Sequence, residues 1–171
     1  LGPMEFRKAL DDNGCKADVT IAGSSTLLFA CRLEKCGTVF INGQKECVTI
    51  AAYPATRNAQ VEALTKDYVP EFKYVRDILT VSFDNINFEF HPGPTLLYTA
   101  MIEKGLPFEY YIDFVPSQVT LIKALDAEKM ELCKVYDIQE IGDATETFQR
   151  MYGYQGDLYD MLTHAECYRG I

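Results

Sequence analysis

Residues 79–91 restrict the fold of this chain more than any other stretch. If Asp84 and Asn85 form a two-residue turn, Phe83 faces Ile86, Val81 faces Phe88 and Leu79 faces Phe90, so six apolar side chains share one side. Thr80, Ser82, Asn87, Glu89 and His91 then share the other. Such a pair is half of an antiparallel sheet with one face on a core and one in water.

The same alternation recurs elsewhere. Ala17, Val19 and Ile21 predict a strand ended by Gly23-Ser24-Ser25, and Leu27, Phe29, Cys31 and Leu33 predict a second that pairs back on it. Residues 37–53 read as a further hairpin. A turn at Gly43-Gln44 sets Val39 opposite Val48 and Phe40 opposite Cys47, keeping Val39, Ile41, Val48 and Ile50 on one face. Phe108, Tyr110, Ile112 and Phe114 alternate with Glu109, Tyr111 and Asp113 up to Pro116, another strand. Residues 119–138 fit either a helix or a third hairpin turning at 126–129, and the hairpin is preferred.

Helical spacing marks fewer segments. Thr56 is an N-cap candidate for a helix carrying Val61, Leu64 and Tyr68 on one face, and Pro70 cannot continue it. Pro94 suits the first turn of a helix that runs to Lys104 and stops at Gly105, with Leu97 and Met101 inward. Asp143 with Glu146 forms a capping box before a short helix ended by Gly153, and Asp157 caps another with Leu158, Met161, Leu162 and Ala165 on its apolar face. The expected fold class is therefore α+β: a largely antiparallel sheet of several β-hairpins, open or curved towards a barrel, with a few short helices, two of them near the C-terminus. Residues 1–4 read as an expression-tag remnant and 5–171 as a single domain.

Chemistry is harder to find. A net charge of −9 with scattered Lys and Arg, the densest group being Arg32 with Lys35, argues against wrapping nucleic acid. No apolar run is long enough to span a bilayer. Six cysteines dispersed in a chain of 171 residues favour reduced thiols and a cytoplasmic protein. Cys31, Cys36 and Cys47 lack a second tight pair, so neither a metal nor a cofactor is expected. The two histidines restrict acid–base options. His164 and Cys167 are three apart on an expected helix, and His91 opens the rigid His91-Pro92-Gly93-Pro94 corner.

Aromatic residues carry the remaining signal. Tyr152, Tyr154 and Tyr159 surround a helix break, with Tyr168 beyond, and tyrosine supplies contact area plus a hydroxyl. These four and His91 are the binding candidates. The expected function is that of a soluble, non-enzymatic protein recognising another protein or its own copy. The alternatives are a small-ligand carrier with a pocket between curved sheet and helices, and a hydrolase or transferase using Cys/His or carboxylates.

Overall fold

The computed structural model describes residues 2–170. They form a mixed α/β fold with helices and two small sheets, neither of which closes into a barrel. The chain divides into two compact units: residues through Leu28 with Cys47–Asn85, and Phe29–Glu46 with the chain from Ile86 onward.

The first unit is built on a three-stranded sheet ordered β1-β4-β5, from β1 (Ile21–Ser24), β4 (Val48–Tyr53) and β5 (Phe72–Tyr74). β1 runs antiparallel to β4, whereas β5 runs parallel to it. Parallel neighbours require a crossover, and α2 (Asn58–Thr65) provides it. Ile50 and Ala52 of β4 pack with Val61 of α2, while Ala51, between them, packs with Val75, Ile78 and Val81. Successive side chains point to opposite faces, so a strand covered on both sides reads as the continuous apolar run Val48-Thr49-Ile50-Ala51-Ala52. Asn58 ties the crossover to the sheet, accepting from the Ala52 amide at 2.7 Å and donating to the Arg76 carbonyl at 2.8 Å. An N-terminal helix, α1 (Gly2–Asp12), packs beside β1.

The first half of the expected hairpin at 79–91 is a helix, α3 (Ile78–Phe83). Asp77 caps it, accepting from the Thr80 amide at 2.8 Å and the Thr80 hydroxyl at 2.9 Å. Ile78 and Val81, three apart, are buried on the sheet. Asp84 is no exposed turn residue: it is fully buried and accepts from the Thr49 hydroxyl at 2.6 Å.

The second unit holds a two-stranded hairpin, β2 (Phe29–Lys35) and β3 (Thr38–Gln44), turning at Cys36 and Gly37. β2 therefore pairs with β3 and not with β1, and β3 does not pair with β4. The rest is helical: α4 (Asn87–Phe90), α5 (Pro92–Leu97), α6 (Thr99–Lys104), α7 (Pro116–Val135), α8 (Ala144–Tyr152) and α9 (Leu158–His164). The expected helix over 94–104 is present with a break at Tyr98, and Gly105 ends it at φ 61°.

α7 replaces the expected hairpin at 119–138. Pro116 occupies its first turn, the Gln118 side chain accepts from the Val115 amide at 2.7 Å, and Val119, Ile122, Asp126, Lys129 and Cys133 form a buried stripe at helical spacing. Alternation was misleading because the stripe contains two charged residues. Gly93 lets α5 approach α7 closely, since a Cβ there would lie 2.5 Å from Leu121 Cδ2.

The expected strand at 108–114 is an aromatic turn. The Asp113 carboxylate accepts from the Glu109 amide at 2.7 Å, closing the backbone locally, and Tyr111, which alternates with the apolar set of the expected strand, is buried. Tyr98, Phe108, Tyr110, Tyr111 and Phe114 pack with ring centroids 4.6–6.4 Å apart. The expected largely antiparallel sheet of hairpins thus gives way to a mostly helical second unit and a mixed sheet in the first. The reason is that short apolar segments satisfy two periods at once.

Candidate functional site

His91 sits where α4 ends and α5 begins. Its backbone is fixed by neighbours: the carbonyl accepts from the Tyr110 hydroxyl at 2.8 Å and from the Thr95 amide at 3.1 Å. The Tyr110 hydroxyl lies 3.0 Å from that of Thr95. The imidazole stands 5.9 Å from the Tyr110 ring and 6.2 Å from that of Tyr111, measured between centroids.

These side chains line a cavity of about 420 Å³, whose wall comprises Arg32, His91, Thr95, Phe108, Tyr110 and Tyr111. Its size lies in the range of small-molecule sites, and its make-up is that of such sites: aromatic walls with a few polar groups. Arg32 comes from β2 and supplies the cation. His91 remains open to solvent, yet loss of water around it, followed by the field of Arg32, lowers its pKa. The ring is therefore neutral at pH 7, with a lone pair to accept a proton. Burial raises the Tyr111 phenol far out of the neutral range, keeping that wall uncharged.

The tyrosines near the C-terminus lie around Phe148. Tyr111 and Tyr168 stack at 3.9 Å, Tyr152 lies 4.9 Å from Phe148, and Tyr154 stacks on it at 6.0 Å. Tyr168 is buried, and burial raises the Tyr152 phenol to about 12. Lys45, itself buried, stands 5.4 Å over the Tyr152 ring. Tyr159 packs against the same core and also lines a second cavity of about 480 Å³ with Glu109, Ile112, Thr163, His164 and Arg169.

His164 and Cys167 do not share a helix face. α9 ends at His164 and Ala165 is extended; Cys167 is buried in a 3₁₀ turn against Gly43, whereas His164 is exposed. Among the described residues no group of three or more His, Cys, Asp or Glu lies together as a metal site, and no helix is long and apolar enough to cross a membrane. Sequence reasoning singled out His91 but missed Arg32, which meets it only through the fold.

Comparison with known proteins places these residues in context. Residues 74–171 match the family described as NAD/NADP octopine/nopaline dehydrogenase, alpha-helical domain. The chain belongs to this family. It is 34% identical over 172 aligned positions to an opine dehydrogenase of Arthrobacter sp. (strain 1C), covering 99% of this chain and 47% of that protein. Vitopine synthase of Allorhizobium ampelinum is 26% identical over 156 positions, covering 89% of this chain and 42% of that protein. The chain thus spans less than half the length of these relatives.

Three octopine dehydrogenase structures share the fold, each at 19% identity over 96% of this chain: complexes with NADH and L-arginine (TM-score 0.65, 45% of that chain covered), NADH and agmatine (0.67, 45%) and NADH and pyruvate (0.57, 44%). Membership of a dehydrogenase family overturns the expectation of a non-enzymatic protein-binding protein, and with it the carrier and the hydrolase or transferase. That expectation rested on the lack of a reaction motif in the sequence. In this unit the polar groups of the cavity are instead assembled from β2, the junction of α4 with α5, α5 itself and the turn before α7.

Proposed function

We propose that this chain is part of an NAD(P)-dependent opine dehydrogenase and that the Arg32–His91 cavity receives a 2-oxo acid. The observation that carries the reading is a guanidinium and a neutral imidazole on one aromatic-walled cavity. An arginine pairs with a carboxylate through two parallel hydrogen bonds, and Arg32 would hold the acid group. Condensation of the keto carbon with an amine forms an imine and releases water. His91 has the chemistry to accept the proton that the amine loses and to return one to the departing oxygen.

A nicotinamide cofactor, when bound, would supply the hydride that, together with one proton, turns the imine into a secondary amine. The chain contains no Gly-x-Gly-x-x-Gly turn, so it holds no complete dinucleotide cradle. Its parallel β4–α2–β5 unit is a single crossover of the kind from which dinucleotide-binding sheets are built, with the cofactor at the carboxyl ends of the strands. The reading therefore rests on the substrate side.

Pyruvate is the probe. Added to the isotope-labelled chain, it is expected to shift the imidazole resonances of His91 and to leave those of His164 in place. Arg32→Met is expected to weaken pyruvate about ten- to a hundredfold, the loss of a hydrogen bond to a charged group. Pyruvate that leaves His91 unmoved, or binds Arg32→Met equally well, refutes the reading.

A further inference from the structure

Two residues before His91, Glu89 is fully buried. Its Oε1 lies 3.1 Å from Lys129 Nζ on α7, and the same ammonium lies 2.7 Å from Asp126 Oδ1. Asp126 is committed elsewhere as well: its Oδ1 accepts from the Ala144 amide at 3.0 Å, at the start of α8. Lys129 also reaches the Gly142 carbonyl at 3.5 Å. One ammonium thus serves two carboxylates, and neither oxygen of Glu89 gains a hydrogen bond of good geometry. With both acids ionised the cluster carries one uncompensated negative charge in the interior, a costly state. Glu89 is the member with least to hold it ionised.

We propose that the Glu89–Lys129–Asp126 cluster is a proton-sensitive clamp that positions His91: protonated, Glu89 stays seated between α4 and α7 and keeps the imidazole in the cavity; ionised, it leaves one uncompensated charge in the interior and loosens that end of α4. This rests on the reading of His91 given above. The clamp has two anchors. One is Glu89 on Lys129, and the other, past His91, is the Tyr110 hydroxyl on the His91 carbonyl. Between them lie only Phe90 and His91. Phe90 is buried against Phe148, so a change at Glu89 has a short, packed path to His91. The groups facing Glu89 are Lys129, Asp126 and Cys133 of α7 and Asp143 ahead of α8. Of these only Lys129 favours the ionised form; burial and the neighbouring acids oppose it and bring the proton on and off near neutrality. Glu89 acts through His91 and touches no substrate, so it is a positioning residue.

The test follows the imidazole signals of the two histidines against pH in the 171-residue chain, His164 serving as the internal control. In the wild type, His91 is expected to report two proton events, its own below 6.5 and a second near 7 that belongs to Glu89. Glu89→Gln keeps the shape and cannot titrate, so its His91 curve should have one step. Pyruvate affinity should drop severalfold as the pH rises through the upper step in the wild type and show no such drop in Glu89→Gln. Lys129→Met, which removes the cation that favours ionised Glu89, should move the upper step to higher pH; if it fails to fold, Glu89→Gln decides alone. An upper step retained in a folded Glu89→Gln protein overturns the clamp. Pyruvate that never perturbs wild-type His91 refutes the binding reading instead, and the two-step titration still judges the clamp.

Discussion

Replacing Glu89 by glutamine should flatten one part of the protein's stability profile, and the size of the effect follows from the burial of this carboxyl. Glu89 is fully buried, and loss of water raises its pKa from 4.5 to about 7 although Lys129 stands 3.1 Å away. The folded protein therefore binds this proton more tightly than the unfolded chain does. The resulting stabilisation is fully present below pH 4.5, declines as the pH rises through about 7, and is gone above it. At about 1.4 kcal/mol for each tenfold change in proton affinity, the wild type should lose about 3 kcal/mol over that window relative to a side chain that cannot ionise. Glu89→Gln is that side chain. Urea unfolding followed by circular dichroism at about pH 4 and about pH 8 compares the two proteins, and all other titrations cancel in the difference. With a slope of about 1–3 kcal/mol per molar urea, the midpoint difference between variant and wild type should grow by about 1–3 M from the lower pH to the higher. Parallel profiles, with a difference constant to within about 0.5 kcal/mol, would show that Glu89 does not titrate in this window.

Other consequences are simpler to check. Phe148 is fully buried among Phe90, Tyr152, Tyr154 and Tyr168; Phe148→Ala should cost about 3–5 kcal/mol in denaturant unfolding, while Leu33→Ala on the exposed hairpin should cost under about 0.5 kcal/mol. Tyr110→Phe removes the hydroxyl that donates to the His91 carbonyl but keeps the ring; a loss of about 0.5–1.5 kcal/mol is expected, together with a shift of the His91 resonances but not those of His164. Asp143→Ala deletes the cap on the Glu146 amide, 2.8 Å long, and should cost about 1 kcal/mol, with faster amide exchange confined to the first turn of α8.

Where a signal is local, the sequence reveals it. The Asp143 and Asp157 caps and the Gly105 stop are settled within a single turn, and the structure has all three. Residues 78–83 are different: six residues hold too few repeats to separate a period of 2 from one of 3.6, and Asp77 acts as a cap only once the helix exists. β4 hid its two neighbours because covering both faces erases alternation. Lys129 and Glu89 read as wet positions because each is buried only by virtue of the other, forty residues away in sequence. His91 announced itself as a polar residue at a rigid corner, whereas Arg32 had no local mark and passed as one of a small basic pair.

The hairpin of β2 and β3 leaves the first unit after Leu28 and the chain returns to it at Cys47, so the unit that bears the cavity is discontinuous along the gene. The family match, beginning at residue 74, is out of step with this partition: it takes in α3, which belongs to the first unit, and omits the hairpin. A fragment cut at that boundary would part α3 from its sheet and discard Arg32, leaving His91 without its cation. Recombination or truncation along the sequence-defined border therefore breaks two bodies at once, and a functional exchange between relatives has to carry residues 29–46 together with the helices.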